Sequence, residues 1–298
     1  MLPPELVASL YPGRAALIAC EETPIPTLGA ATGAVHRLRA TLDVAGERNE
    51  LRLIRKRLRP LTSGRHIAAN SDRSHWAYWR REPLAYESGL LPDGPDLSAP
   101  RYIGTIDHDL YTEEIVGVGV AAVDAALALG RWQRGLRLPG RSWLAGHQLA
   151  QRLAVTTIDT TSLDPAWRAV WEDRWRYLDA LDRLPYVLSH GDSQIGNFLS
   201  AEDGIVLCDW GTLGGAPVGA DAAHVALSVS SDVLDDYVRG LRGAVDAATV
   251  ALGYTVTIVL TGISRAHWHV AAGHDYPASA RVFLDAAITR LTGLLSRP

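Results

Sequence analysis

The spacing of apolar and polar positions changes character along this chain. From about Leu28 through Arg59, GAATGAVHRLRATL and LRLIRKRL alternate, which predicts two adjacent strands joined at AGERNE and a small sheet near the N-terminus. WRREPLAYESGLL next reads as a helix with Leu84, Tyr86, Leu90 and Leu91 at its apolar positions, its proline tolerated near the start. From Val120 onward the period becomes helical. AAVDAALALGRWQRG is expected to be interrupted or ended at Gly130, and PAWRAVWEDRWRYLDALDRL is expected to bury Trp167, Val170, Trp171, Trp175, Leu178 and Leu181 on one face. Tyr186-Val187-Leu188 is strand-like, and the apolar run Ile205 to Leu207 is expected to hairpin back beside it. AAHVALSVS, VLDDYVRGLRGAVDAATVAL, TVTIVLTGISRAHWHVAAG and RVFLDAAITRLTGLL complete an α-rich region. Strands first and helices afterwards make an α+β chain.

Composition narrows the function classes. The 298 residues leave room for two lobes around a cleft, and 47% hydrophobic with 21% charged residues is a globular composition. Apolar runs are broken by Arg, Asp, Gly and Pro before reaching the roughly 18 residues of a membrane span, so no membrane partner is expected. Two cysteines, Cys20 and Cys208, are too few for a disulfide framework. MLPPELVASLYPG lacks a basic leader with an apolar core, so cytoplasmic residence is the expectation. With a formal charge of −4, and with hydrophobes interleaving the basic run RLIRKRLRP, no nucleic-acid partner is expected. The aromatic faces suit a core or a homodimer interface equally, leaving monomer or homodimer open.

The chemistry concentrates in LSHGDSQIGNFLS and the following IVLCDWG. Asp192 follows a strand in a glycine-containing turn, where its carboxylate can face an open site, and is the candidate base. Asn197 offers an uncharged oxygen, and Asp209 ends the second apolar run. One carboxylate and one amide suit magnesium, which favours oxygen ligands and shares the phosphates of its substrate. Phosphoryl transfer needs this kind of positioning and charge neutralisation.

HGDSQIGN, followed by a strand-ending Asp with Trp-Gly, resembles the catalytic and metal motifs of the aminoglycoside phosphotransferase and choline kinase superfamily. The resemblance implies a bilobal protein-kinase-like fold, with a nucleotide-binding lobe and hinge over 1–115 and a helical catalytic and substrate lobe over 116–298. It implies Asp192 as the catalytic aspartate, Asn197 and Asp209 as Mg²⁺ ligands, and ATP as phosphoryl donor. Lys56 matches the strand lysine that holds the α- and β-phosphates, and Glu82, preferred to Glu87, matches its helix glutamate. Gly29 and Gly33 stand where a nucleotide loop approaches phosphates. RYIGTIDHDLYTEEIVG resembles a final strand entering the hinge, where backbone groups of Glu113, Glu114 and Ile115 meet the adenine edge. Asp221 matches an acid that braces the catalytic loop, and His190 reads as a packed histidine supporting that loop. Gln194 and Ile195 replace the family's common His-Pro pair, so loop geometry and nearby substrate contacts are expected to differ.

The implied activity is transfer of the γ-phosphoryl group to a hydroxyl of a small molecule, with antibiotics, amino sugars and choline-like alcohols among the acceptor classes. Asp232, Asp235, Asp236, Asp246 and Asp275 would suit a cationic acceptor if the fold gathers them at the cleft. The competing reading is a nucleotide-binding pseudokinase that regulates a partner.

Overall fold

The alternating segments near the N-terminus form one antiparallel sheet. The computed structural model describes residues 2–13, 15–26, 31–135 and 137–295. A short helix, α1 (Pro4–Leu10), precedes β1 (Ala15–Ile25), β2 (Thr32–Val44) and β3 (Glu47–Leu58). β2 and β3 run through most of AGERNE, leaving only Ala45 and Gly46 as the turn, at φ 55° and 91°. Positive φ at both central residues is what a tight two-residue hairpin demands. β1, which the alternation did not announce, is an edge strand with no fully buried position and a polar Glu21-Glu22-Thr23 stretch.

A long connection over 59–80 leads to α2 (Arg81–Glu87), which ends before Leu90 and Leu91. RYIGTIDHDLYTEEIVG then forms two strands where one was expected, β4 (Tyr102–Ile106) and β5 (Asp109–Glu113). They turn at Asp107, with φ 54°, and His108. The sheet order is β1-β2-β3-β5-β4, so Lys56 on β3 lies opposite Leu110 and Leu53 opposite Glu113. Leu38, Leu42, Leu51, Leu53 and Tyr111 pack with Leu2 and Leu6 of the α1 region as a core of their own.

A second, larger core takes up the rest. β6 (Val118–Gly119) leads into α3 (Ala122–Gln133), α4 (Gln148–Leu153), α5 (Pro165–Glu172) and α6 (Arg174–Asp182). Gly130 does not end α3. It lies inside the helix where α8 (Leu234–Leu241) crosses, and a Cβ there would stand 2.3 Å from the Tyr237 carbonyl oxygen. The tryptophan-rich stretch is two helices broken at Asp173, with φ −85° and ψ 7°. The break rotates the second apolar stripe, so Trp167 and Trp171 are buried while Trp175 is 48% exposed.

Four short strands frame the polar motifs: β7 (Tyr186–Ser189), β8 (Phe198–Ala201), β9 (Gly204–Leu207) and β10 (Gly214–Pro217). β9 hairpins onto β8, not onto β7 as expected, because the two-residue turn at Glu202-Asp203 offers a nearer partner; β7 pairs with β10. α7 (Ala220–Val229), α8, α9 (Ala247–Ala271) and α10 (Ala278–Leu295) complete this region. Among the described residues α9 has the length and apolar composition of a membrane span, which counting uninterrupted runs missed because Gly and Thr punctuate it. Of its most apolar window, 67% is buried inside the protein, and Val256, Ile258, Val259, Leu260 and Ile263 are all core residues.

Candidate active site

The Asp192 loop is suspended from one buried carboxylate. Gly191, at φ 82°, turns the chain between β7 and Asp192, and a side chain there would meet the Thr212 carbonyl oxygen at 2.8 Å. Asp221, on the first turn of α7 and 1% exposed, accepts from Ser189 Oγ (2.8 Å), the His190 N–H (2.9 Å), the Gly191 N–H (3.0 Å) and Gln133 Nε2 (2.7 Å). A carboxylate saturated in this way holds the backbone on the N-terminal side of Asp192 rigidly. His190 is fully buried; its Nε2 donates to the Cys208 carbonyl (2.9 Å) and its Nδ1 accepts from the Asp192 N–H (3.2 Å). This histidine splints the Asp192 loop to the segment carrying Asp209. Asp192 itself is partly exposed.

Lys56, Glu82 and Asp209 arrive from three elements and meet. Lys56 Nζ stands 2.6 Å from Glu82 Oε2 and 2.5 Å from Asp209 Oδ1. Glu87 turns away, accepting from Tyr102 Oη at 2.8 Å. Burial works against the Lys56 charge, but Glu82 and Asp209 outweigh it and hold its pKa above the ordinary value. Burial raises the Glu82 pKa, opposed by Lys56, whereas Lys56 is the main cause that lowers that of Asp209. Asp209 is held at φ 66° and ψ 63°, a left-handed conformation uncommon for a residue with a side chain. Fully buried Trp210 anchors it by donating Nε1–H to the Leu207 carbonyl (2.7 Å) and packing edge-on against His190.

Asn197 is tied to both loops. Its Nδ2 donates to the Asp192 carbonyl (2.8 Å), its own carbonyl accepts from the Cys208 N–H (2.9 Å), and the amide oxygen is left over. That oxygen and the half-exposed Asp209 carboxylate form a hard donor pair that fits magnesium. No cluster of three or more His, Cys, Asp or Glu suited to a metal occurs among the described residues.

At the end of β5, the N–H groups of Glu113 and Glu114 go to the carbonyls of Arg101 (3.0 Å) and Arg52 (3.1 Å), and the Glu114 carboxylate pairs with Arg37. The Ile115 N–H meets no acceptor among the described residues. Gly29 lies outside the described residues. Gly33 sits at an irregularity of β2, and a side chain there would meet Arg57 and Arg59 only at ordinary contact distance. The five acids that a cationic acceptor would need are not gathered. Asp232 accepts from Tyr254 Oη (2.8 Å) and pairs with Arg290, Asp236 pairs with Arg239, Asp246 caps α9 through the Thr249 N–H (2.8 Å), Asp235 lies in the first turn of α8 and Asp275 is exposed.

Two arginines tie the surrounding segments together. Arg81, fully buried beside Glu82, donates to the carbonyls of Trp143 (2.9 Å), Trp76 (2.9 Å), Gly211 (3.4 Å), Arg73 (2.8 Å) and His75 (2.7 Å). It pins the 59–80 connection and the Trp210-Gly211 turn to α2. Arg152 on α4 stacks over Trp76 at 4.3 Å, and with the Gln148 amide oriented so that its oxygen faces Arg152, that oxygen accepts from Nη2 (2.6 Å) and Nε (3.2 Å) while its nitrogen donates to the Gly191 carbonyl (2.5 Å).

Several kinases of solved structure share the fold over nearly the whole chain. They include an ethanolamine kinase of Plasmodium vivax (TM-score 0.55, 13% identity, 99% of this chain and 84% of that one). Another is the choline kinase LicA of Streptococcus pneumoniae (0.53, 13%, 97% of each). A third is the GDP complex of aminoglycoside 2′-phosphotransferase-IIIa (0.52, 14%, 97% and 96%). At such identities the likeness establishes the fold, the bilobal protein-kinase-like α+β architecture that the motifs imply. No curated protein matches the chain by sequence. Residues 101–252, half of the chain and the part that carries Asp192, Asn197, Asp209 and Asp221, match the model of the phosphotransferase enzyme family (APH), and the chain belongs to that family.

Proposed function

We propose that the protein transfers the γ-phosphoryl group of MgATP to a hydroxyl of a small molecule in the cytoplasm, where that nucleotide is abundant. In this reading residues up to about 115 form the nucleotide lobe and hinge, with Ile115 and its neighbours at the adenine edge, and 116–298 form the catalytic lobe. The observation that carries it is the Lys56 ammonium held at 2.6 Å from Glu82 and 2.5 Å from Asp209, joined through Cys208 and His190 to the Asp192 loop.

The chemistry follows from those contacts. Lys56 keeps its proton at physiological pH, so it offsets phosphate charge and does not act as a base. Glu82, shielded from solvent, aims that ammonium. Magnesium held by Asn197 and Asp209 supplies further positive charge at the phosphates. Asp192 orients the acceptor hydroxyl and takes its proton as the acceptor oxygen bonds to phosphorus. The bond from that phosphorus to the β-phosphate oxygen breaks, and ADP leaves with the electron pair.

One contact favours the pseudokinase reading. Gln194 Nε2 lies 3.3 and 3.2 Å from the two Asp192 carboxylate oxygens, where an acceptor hydroxyl must approach. Gln194 is exposed and its side chain is free to swing aside, so catalysis is the reading we adopt. The test is mass-spectrometric detection of a phosphorylated product after incubation with MgATP and a panel of hydroxylated antibiotics, amino sugars, choline-like alcohols and hydroxy acids. Asp192→Asn is the control. A product made only by the parent protein is expected; MgATP binding without turnover on any acceptor would favour the regulatory reading.

A further inference from the structure

Beyond Asp192 the site turns basic. Arg152 comes from α4. Arg265 comes from the second half of α9, where it is the only side chain carrying a permanent charge in the whole helix. Thr257, Thr261 and Arg265 recur every four residues and therefore share one face of α9. Thr257 lines a small cavity together with His224, Gln148, Gly191 and Ser189, directly behind the Asp192 loop. Thr257 Oγ1, Thr261 Oγ1 and His224 Nδ1 are buried without a hydrogen-bond partner. Gln148, the partner of Arg152, lines the same cavity, so α4, the start of α7 and this face of α9 meet behind the Asp192 loop.

Charges here do not balance. The Arg265 side chain makes no hydrogen bond or ion pair among the described residues, and Arg152 makes no ion pair. Burial lowers the pKa of both guanidinium groups, that of Arg152 to about 10. Asp192 is the one carboxylate that acts to raise them, and Arg265 adds repulsion on Arg152. His224, buried between the same two arginines and His190, is held neutral. The charged groups that act on one another here are therefore two guanidinium groups and a single acid. Desolvating positive charge without a counter-ion is costly unless a ligand supplies one.

We propose that the acceptor carries an oxyanion, a carboxylate or a phosphate, bound by Arg152 and Arg265, and is neither a choline-like nor an aminoglycoside-like cation. This rests on the phosphotransfer reading above. The guanidinium groups give charge-assisted, fork-shaped donors to the anion, which leaves a hydroxyl of the same molecule beside Asp192. The acids Asp232 and Asp246 stand on or against the first half of α9. Asp246, 19 residues before Arg265, lies about 28 Å away along the helix at 1.5 Å per residue.

The experiment uses the intact protein with saturating MgADP and titrates inorganic phosphate by calorimetry, comparing Arg265→Gln, Arg265→Lys and Lys56→Met. It is paired with phosphotransfer from MgATP to a matched set: glycerol, glycerate, glycerol 3-phosphate and choline. Expected are phosphate binding weakened at least tenfold by Arg265→Gln, largely kept by Arg265→Lys and kept by Lys56→Met, and transfer favouring the anionic acceptors. Glycerate against glycerol 3-phosphate tells a carboxylate site from a phosphate site. Phosphate binding that is absent, or that follows Lys56 and ignores Arg265, overturns the proposal, as does transfer favouring choline or glycerol. Binding of a fluorescent ATP analogue is read separately, so loss of nucleotide binding marks failure of the phosphotransfer reading itself.

Discussion

Replacing Asp221 by Asn changes one buried oxygen into a donor in a nest that consists entirely of donors. If the amide nitrogen takes the place of Oδ2, it faces the His190 N–H and Gln133 Nε2. Gln133 cannot turn over to suit it, because its amide also donates to the Leu188 carbonyl (2.9 Å) and accepts from Tyr237 Oη (2.5 Å). If the nitrogen takes the place of Oδ1, the Ser189 hydroxyl can rotate, but the Gly191 N–H cannot. Either way at least one buried backbone donor is stranded, at about 1–3 kcal/mol, and the remaining bonds lose their charge assistance. Relief from burying a charge offsets part of this, so the net loss is about 2–4 kcal/mol, a large share of the roughly 5–15 kcal/mol that holds a typical protein folded. Urea unfolding followed by tryptophan fluorescence measures it, with Ser189→Ala as a one-bond comparison expected to cost about 1 kcal/mol. Turnover should fall as well, because the His190-Gly191 backbone sets where Asp192 stands. An Asp221→Asn protein that unfolds at the parental urea concentration would refute the claim that this carboxylate suspends the loop.

Lys56→Met should lower kcat/KM by about 100-fold, close to 3 kcal/mol of transition-state stabilisation, and also lower the urea midpoint because Glu82 is left buried without its cation; equal activity would remove Lys56 from the phosphate site. Gly130→Ala should destabilise by about 1–3 kcal/mol, since its Cβ would stand 2.3 Å from the Tyr237 carbonyl and 3.0 Å from Gly240 Cα, and a neutral result would mean that α3 and α8 part easily. Burial lowers the pKa of His66, His75, His147 and His224, that of His66 to about 4. Each takes up its proton near pH 6.5 when unfolded and only at lower pH when folded, so the unfolded chain binds more protons as acid is added. Stability should therefore be complete above about pH 7 and fall towards pH 5, more gently in His224→Gln; a urea midpoint that held level over that range would contradict the assignment.

The polar motifs were legible because their residues are close in sequence and their spacing is set by short loops. Asp192, Asn197 and Asp209 lie within eighteen positions, and His190, Cys208 and the β8–β9 hairpin tie them locally. Strand partners were less legible, because an apolar run such as Ile205 to Leu207 states that it is buried and not against what. The helical stripe that promised a buried Trp175 failed at Asp173, where one non-helical residue was enough to turn the face. Gly130 looked like punctuation because a glycine's demand for space comes from the helix that crosses it, and α8 begins more than a hundred residues later. Arg152 gave no local signal, since the Trp76 ring on which it stacks is brought in by folding. One residue did leave a signal: Arg265, the lone charged residue at the end of the uncharged run TVTIVLTGISR, marks a charge that must be answered from elsewhere.

What answers it is best argued from the two sides of Asp192 together. On one side Lys56 is met by both Glu82 and Asp209, which leaves negative charge in excess and suits a metal cation with its nucleotide. On the other, Arg152 and Arg265 make no ion pair among the described residues and Asp192 is the one carboxylate that acts on them, which leaves positive charge in excess. A cationic acceptor would enter against that excess and compete with both arginines for the one carboxylate that must receive its proton. An anionic acceptor meets the arginines with its own charge and leaves Asp192 free for the hydroxyl. The same carboxylate cannot neutralise two guanidinium groups and also serve as an unencumbered base, so the acceptor must bring the missing negative charge.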